Sequence, residues 1–146
     1  MPRAAKSRMT RILVIDDDEA VREATAMLLE GEGFEVVAAA DGKSGIEAVK
    51  AGSFDLVIVD LFMPGIDGLQ TAKAIRQLNP SMPVIAVSGF MLGKWRLEMP
   101  NFGTMAAEAG AFSTLYKPFQ PAALFEAIGK ALANAPPPAL ARRQHG

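Results

Sequence analysis

Two apolar runs of this sequence end in aspartates whose carboxylates could together bind a divalent cation. The run Ile12–Ile15 is followed directly by Asp16 and Asp17, and the run Leu56–Val59 is followed by Asp60. Two carboxylates about 5 Å apart repel each other by roughly 3 kcal/mol at an effective dielectric constant of about 20, so such a cluster needs a cation. Because Mg²⁺ binds a few carboxylates together with water and phosphate oxygens, these positions predict a magnesium site.

Short apolar strands alternate with helices along most of the chain. Strands are predicted at Ile12–Ile15, Phe34–Ala39, Leu56–Val59, Val84–Val87 and Phe112–Tyr116. Helices are predicted from apolar residues spaced three and four apart, and they begin near Glu19, Asp41, Leu69 and Pro121. Since the strands are apolar throughout, helices should cover both faces of the sheet. The expected fold is α/β, a doubly wound five-stranded parallel sheet of order 2-1-3-4-5, with its ligand site at the carboxyl ends of strands 1 and 3.

Single residues predict where the helices begin and end. Asp18 and Asp41 are expected to cap the first two helices, because a carboxylate can accept hydrogen bonds from first-turn N–H groups. Either Gly31 or Gly33 should end the first helix, and Gly52 should end the second.

The composition indicates one soluble domain. Half of the 146 residues are hydrophobic, and the absence of cysteine excludes disulfides and thiolate metal sites. We expect a flexible N-terminal extension at 1–10, the domain at 11–134 and a proline-rich tail at 135–146. No apolar stretch approaches the ~18 residues of a membrane span, and the N-terminus lacks the apolar block of a signal peptide. A cytoplasmic location without membrane association is therefore expected.

The basic residues are concentrated at the two ends of the chain. Six of the fifteen lie there, where no acid is present, namely Arg3, Lys6, Arg8, Arg11, Arg142 and Arg143. The remaining nine face all sixteen acidic residues, so the body of the chain is acidic. An acidic body argues against direct binding of nucleic acid. The basic ends are expected to be solubilising tails rather than an anion-binding arm.

Four motifs, each at a strand end, give the chain a specific resemblance to a known family. They are Asp16-Asp17, Asp60 with Met63-Pro64-Gly65, Ser88-Gly89, and Lys117-Pro118-Phe119. In this order they resemble the receiver domains of bacterial response regulators, the phosphoryl-accepting part of two-component signalling, over roughly residues 11–133. The resemblance implies the flavodoxin-like receiver fold in a single-domain protein. The alternative is a fragment cut from a longer regulator near Pro136–Pro138.

The resemblance also implies a role for each residue of the metal site. Asp60 resembles the aspartate that accepts the phosphoryl group. Asp17, Asp60 and the backbone carbonyl of Phe62 look like direct Mg²⁺ ligands, while Asp16 would act mainly through a bound water.

Two further residues would contact the phosphoryl group in such a domain. Ser88 would donate its hydroxyl to one phosphoryl oxygen, and Lys117 would pair with another. The family usually has an aromatic switch residue three positions before this lysine, but Thr114 stands there, so Ser88 and Thr114 are the expected switch positions. Tyr116 directly precedes Lys117, and its side chain should leave the opposite face of strand 5.

The implied function is a phosphorylation-dependent signalling switch. It would accept the phosphoryl group from a sensor histidine kinase or a phosphotransfer protein and relay the signal through contacts with an unknown downstream protein. A homodimer is compatible with this expectation. Such a protein is not an enzyme with a separate substrate, since it catalyses only its own phosphoryl transfer and slow dephosphorylation.

The segment Phe90–Ala109 departs from the family. It is longer than usual, and it contains the helix breakers Gly93, Pro100, Asn101 and Gly103. We expect these residues to interrupt the fourth helix, and we expect an unusual partner surface on the fourth helix, strand 5 and the fifth helix.

Two alternatives remain open at this point. A phosphatase of the haloacid-dehalogenase type would use Asp16 as its nucleophile, with Asp18, Ser88 and Lys117 in support. That type expects a threonine soon after the second aspartate, which is missing here, and it leaves Asp60 without a role. The second alternative is a receiver-like scaffold that is never phosphorylated, although every charged residue of the site is present.

Overall fold

The computed structural model describes residues 9–61, 68–88, 102–117 and 119–134, and within them five strands alternate with five helices. In chain order they are β1 (Arg11–Ile15), α1 (Glu19–Gly31), β2 (Glu35–Ala39), α2 (Gly42–Ala51), β3 (Leu56–Asp60), α3 (Gly68–Leu78), β4 (Val84–Ser88), α4 (Phe102–Glu108), β5 (Ser113–Tyr116) and α5 (Pro121–Asn134). The predicted strands are confirmed, with ends that differ by about one residue. None of the described helices combines the length and the apolar character needed to cross a membrane.

Some predictions lie outside the described residues. These are the role of Phe62, the part of the long segment at 90–101, the tail at 135–146, and most of the N-terminal extension, at 1–8.

The strands form one parallel sheet in the predicted order, β2-β1-β3-β4-β5. β1 lies between β2 and β3, and Ile12 is paired with Val36 on one side and with Leu56 on the other. All five residues of β3 are buried. Because the strands are parallel, their carboxyl ends lie at the same edge of the sheet, which is where the aspartates follow.

Two apolar cores cover the two faces of the sheet. Residues alternate between the cores along a strand, so that Leu13 belongs to one and Val14 to the other. Residues of α2, α3 and α4 contribute to the first core, and residues of α1 and α5 contribute to the second. Each fully buried aliphatic side chain stabilises the fold by about 1.5–3 kcal/mol relative to its exposed state. The sheet is therefore held between two layers of helices, as predicted.

The two predicted aspartate caps are confirmed. An Oδ1 atom of Asp18 accepts a hydrogen bond of 3.1 Å from the N–H of Val21. Asp41 Oδ1 accepts one of 2.8 Å from the N–H of Ser44. Hydrogen bonding with Ser44 holds the pKa of the Asp41 carboxyl below its ordinary value. Each cap satisfies a first-turn donor that has no partner within the helix.

The glycine that provides the left-handed turn after α1 is Gly33 rather than Gly31. Gly31 is the last helical residue, whereas Gly33 has a φ of +94°, which a side chain would disfavour. The N–H of Phe34 donates to the carbonyl of Leu29 at 3.1 Å, and both side chains pack in the same core. This is the Schellman ending, in which an apolar contact accompanies the left-handed glycine.

The prediction that Gly103 would break the fourth helix is wrong, because it lies within α4. A glycine inside a helix costs only about 1 kcal/mol relative to alanine. Packing outweighs that cost, since Ala106 and Ala109 are buried against the first core. The helix ends instead at Glu108, shortly before Gly110, whose φ is +75°.

Arg11 belongs to the folded domain rather than to the basic ends of the chain. It begins β1, and its Nε lies 3.2 Å from Glu35 Oε2 on β2. Its Nη1 donates to the carbonyl of Ser53 at 2.6 Å, and its guanidinium lies over the ring of Phe54. Arg11 therefore joins three neighbouring segments at the amino ends of the strands, where it is not available as a solubilising charge.

Candidate functional site

Three carboxylates meet at the carboxyl edge of β1 and β3. Ile15 is paired with Val59, so the residues that follow them come side by side. One carboxylate oxygen from each of Asp16, Asp17 and Asp60 lies within 4.8 Å of the others. Asp16 and Asp60 are buried, and Asp17 is exposed. The structure thus brings together the three aspartates that the sequence named, with a solvent-facing side from which an ion can enter.

Lys117 places a positive charge inside this acidic group. Its Nζ lies 2.7 Å from Asp16 Oδ2 and 3.1 Å from Asp60 Oδ2, and only 8% of its side chain is exposed. Burial by itself lowers the pKa of the ammonium, but the carboxylates of Asp16 and Asp60 outweigh burial and raise the pKa above its ordinary value. Lys117 is therefore charged at neutral pH and offsets part of the repulsion among the aspartates.

Three hydrogen bonds fix the position of Asp16. Its N–H donates to the carbonyl of Ala39 at 3.1 Å, which continues the pairing of β1 with β2. Its Oδ1 accepts from the N–H of Asp18 at 2.9 Å. Its own carbonyl accepts from Nη1 of Arg22 at 2.9 Å. Arg22 lies one turn into α1, and no sequence pattern pointed to this residue.

Asp60 is the last residue of β3, and a glycine packs against this strand end. The N–H of the next residue, Leu61, donates to the carbonyl of Val87 at 3.0 Å, which keeps β3 paired with β4 up to its end. Gly68, the first residue of α3, packs on this strand end, and a Cβ added there would lie 2.7 Å from the carbonyl carbon of Asp60. This close backbone approach at Gly68 is visible only in three dimensions.

The other predicted site residues are described to different degrees. Ser88 is the last residue of β4 and pairs with Tyr116 of β5, but only its backbone is described. Thr114 is exposed on β5. Tyr116 is 53% exposed whereas Lys117 is buried, as expected for consecutive residues that leave opposite faces of a strand.

The donor set fits a hard divalent cation. The three aspartates offer only carboxylate oxygens, which are the ligands that Mg²⁺ prefers, and the described residues around them add no thiolate or imidazole. Asp17 is exposed, so water can reach this side of the group. The arrangement can therefore hold a cation beside a buried aspartate.

Comparisons with known proteins point to one family. Residues 12–129 match the sequence profile described as "Response regulator receiver domain". The chain is 36% identical over 122 residues to the transcriptional regulatory protein CseB of Streptomyces avermitilis, covering 84% of this chain and 48% of that protein. It is 34% identical over 126 residues to the transcriptional regulatory protein GlrR of Escherichia coli, covering 86% of this chain and 27% of that protein. The chain thus spans half or less of the length of these curated relatives.

Solved structures agree with this match. A CheY-like response regulator receiver domain from Methanospirillum hungatei superposes with a TM-score of 0.76 at 31% identity, covering 86% of this chain and 95% of that one. The response regulator TrrA from Thermotoga maritima, solved in complex with Mg²⁺ and BeF, gives a TM-score of 0.70 at 31% identity, covering 85% of this chain and 100% of that one.

Proposed function

This chain belongs to the family of response regulator receiver domains, and on that premise we propose that it is a signalling switch that accepts a phosphoryl group on Asp60. The observation that carries the proposal is the group formed by Asp16, Asp17, Asp60 and Lys117, in which three carboxylates and one ammonium meet at a sheet edge. Asp60 is the buried aspartate at the end of the central strand β3. The solved relative TrrA in complex with Mg²⁺ and BeF supports the same use of the site here.

Asp60 would act as the nucleophile. It would attack as the carboxylate anion, so no general base is required. An Asp60 oxygen would form a bond to phosphorus while the bond from phosphorus to the donor's histidine nitrogen breaks and its electron pair returns to the imidazole. Asp17 and Asp60 would hold Mg²⁺, which supplies positive charge for the phosphoryl oxygens. Both carboxylate oxygens of Asp16 already accept hydrogen bonds, which supports the expectation that Asp16 acts through a water.

Lys117 would be the second source of positive charge. Its ammonium already lies within hydrogen-bonding distance of Asp60, so it would meet a phosphoryl oxygen there with little movement. Ser88 would donate to another phosphoryl oxygen from the end of β4. Charge-assisted hydrogen bonds of this kind are about twice as strong as neutral ones.

Phosphorylation would then shift an equilibrium between two conformations. Nearly complete conversion requires about 5.5 kcal/mol of differential interaction. The new contacts of Ser88 and Lys117 would supply it, with Thr114 at the position where the family usually has an aromatic residue. Because Thr114 is exposed, we expect no large buried side chain to move at that position.

The proposed partners are those that the family implies. A sensor histidine kinase or a phosphotransfer protein would donate the phosphoryl group in the cytoplasm. The output would pass to another protein by direct contact, with homodimer formation as one form of it. The relatives are transcriptional regulatory proteins of greater length. A comparison of proteins captured by the beryllofluoride-treated and the untreated chain would identify the output partner.

Labelling with acetyl phosphate tests the phosphoryl acceptor. Wild type incubated with acetyl phosphate and Mg²⁺ should gain the mass of one phosphoryl group, and peptide mapping should assign it to Asp60. Chelation of Mg²⁺ and the Asp60→Asn substitution should each abolish the gain. Labelling of Asp16 would favour the hydrolase alternative, and no labelling at all would favour the unphosphorylated scaffold.

One contact argues against the haloacid-dehalogenase alternative. That chemistry needs the second aspartate of the pattern, Asp18, beside the nucleophile. Here Asp18 caps α1 by accepting from the N–H of Val21, and it is not part of the acidic group. We therefore keep the phosphoryl-accepting switch as the proposed function.

A further inference from the structure

The three aspartates of the site are not held equally well. Asp16 and Asp60 are buried, and each bonds to Lys117. Asp17 is exposed, and within the described residues no hydrogen bond or ion pair holds its carboxylate. The position of the Asp17 side chain therefore depends on its backbone. The peptide between Asp16 and Asp17 then determines where the carboxylate oxygens of Asp17 lie.

Arg22 holds that peptide. Its Nη1 donates to the carbonyl of Asp16 at 2.9 Å, and this carbonyl belongs to the peptide that joins Asp16 to Asp17. The N–H of Arg22 itself donates to the carbonyl of Asp18 at 2.9 Å, within the first turn of α1. The guanidinium thus reaches back from a regular helix to the loop that precedes it, and it fixes the peptide plane against rotation.

We propose that Arg22 is a positioning residue that orients Asp17 for Mg²⁺. The inference rests on the proposed function, since it assumes that Asp17 binds the ion. Residues that orient metal ligands typically change metal affinity by about 10- to 100-fold when they are removed.

The charge of Arg22 acts in the opposite direction. A cation near the site repels Mg²⁺, so removal of the charge alone would strengthen binding. If orientation dominates, removal of the side chain weakens binding instead. The sign of the change in affinity therefore separates a positioning role from a purely electrostatic one.

Arg76 offers a matched control far along the chain. Like Arg22, it is a partly buried helical arginine whose Nη1 donates to a backbone carbonyl six residues away at 2.9 Å, in this case that of Met82. The Arg76→Met substitution removes the same kind of bond from the end of α3, away from the aspartates. The stability of this variant therefore shows how much the loss of one such hydrogen bond costs when the aspartates are not involved.

Titration calorimetry with Mg²⁺ alone is the first test. Arg22→Met should bind Mg²⁺ about tenfold more weakly than wild type, and Arg76→Met should bind it as wild type does. Arg22→Lys, which keeps one donor and the charge, should fall between wild type and Arg22→Met. Unchanged or tighter binding by Arg22→Met, or equal weakening by Arg76→Met, would overturn the proposal.

A second measurement needs no metal. The backbone N–H order parameter of Asp17, measured by NMR relaxation in the metal-free protein, should fall in Arg22→Met and Arg22→Lys but not in Arg76→Met. An unchanged order parameter in the Arg22 variants would overturn the positioning role. Failure of wild type to bind Mg²⁺ would instead overturn the proposed metal site, and the order parameter would still decide what Arg22 does.

Discussion

The ammonium of Lys117 lies 2.7 Å from Asp16 Oδ2 and so joins the ends of β5 and β1, two strands that are separated in the sheet by β3 and β4. On the way it also contacts Asp60 at the end of β3. One buried cation therefore connects three strand ends and offsets the charge of two buried carboxylates. Breaking such a pair from one side leaves buried charge without compensation.

Loss of the Lys117 charge should destabilise the metal-free protein. Lys117→Met should lower the free energy of unfolding by about 3 kcal/mol, because the buried carboxyl groups of Asp16 and Asp60 lose the ammonium that compensates them. Urea denaturation in a chelator measures this. Mg²⁺ should restore part of the loss, since a bound cation takes over the compensation.

The exposed lysine of α2 provides the control for that experiment. Lys50 Nζ lies 4.0 Å from Glu47 Oε2, and both side chains are more than half exposed. Lys50→Met should change the free energy of unfolding by less than about 0.5 kcal/mol. An equally small effect of Lys117→Met would contradict the stabilising role of the buried ammonium.

The stabilisation that Lys117 provides should be lost only at high pH. The carboxylates of Asp16 and Asp60 outweigh burial and raise the pKa of Lys117 above the ordinary 10.5. A raised pKa means that the contribution is complete below the unfolded-state pKa and is lost as the pH rises through the folded-state pKa. The difference in unfolding free energy between wild type and Lys117→Met should therefore stay constant from about pH 8 to pH 10 and shrink only above that range. A difference that already shrinks near neutral pH would show that the pKa is not raised.

Neutralisation of Asp17 should stabilise the protein when no metal is present. Its carboxylate lies within 4.8 Å of those of Asp16 and Asp60 and makes no hydrogen bond within the described residues that the change would cost. Asp17→Asn should raise the free energy of unfolding by about 1 kcal/mol in a chelator, which is the repulsion expected at the water-exposed side of the site. The advantage should disappear in Mg²⁺. The exposed residue Glu23, on α1, serves as the control through Glu23→Gln, which should show neither effect.

A methyl group at Gly68 should disturb Asp60, the proposed phosphoryl acceptor. The added carbon would press on the Asp60 carbonyl and on Leu61, so either α3 or the end of β3 must move. Gly68→Ala should cost about 1–3 kcal/mol in unfolding free energy, as overpacking does, and should slow labelling of Asp60 by acetyl phosphate.

Gly129 on α5 is the matched control, because nothing lies within 4 Å of a Cβ added there. Gly129→Ala should stabilise the protein by up to about 1 kcal/mol through helix propensity and leave labelling unchanged. Normal stability and labelling in Gly68→Ala would mean that the strand end tolerates the shift.

Local patterns in the sequence determined the architecture. Strands such as β3 are apolar throughout because both faces of the sheet are covered, and that property is written in consecutive residues. Asp18 and Asp41 cap helices through bonds to residues three positions away, so their roles could also be predicted from neighbours alone. The parallel orientation of the strands then follows from the alternation of strands and helices. It brings Asp16, Asp17 and Asp60 to one edge of the sheet.

Only the tertiary structure decided what depends on contacts between distant segments. The bond from Lys117 to Asp16, the approach of Gly68 to Asp60 and the reach of Arg22 to the peptide before Asp17 are each set by packing of a helix or strand end that no local pattern encodes. The same holds for Gly103, whose low helix propensity is overridden by burial of the residues beside it. The physical reason is that propensity and periodicity act over a few residues, whereas the charges and close contacts of the site are fixed by distances between parts of the chain that meet only when the two cores form.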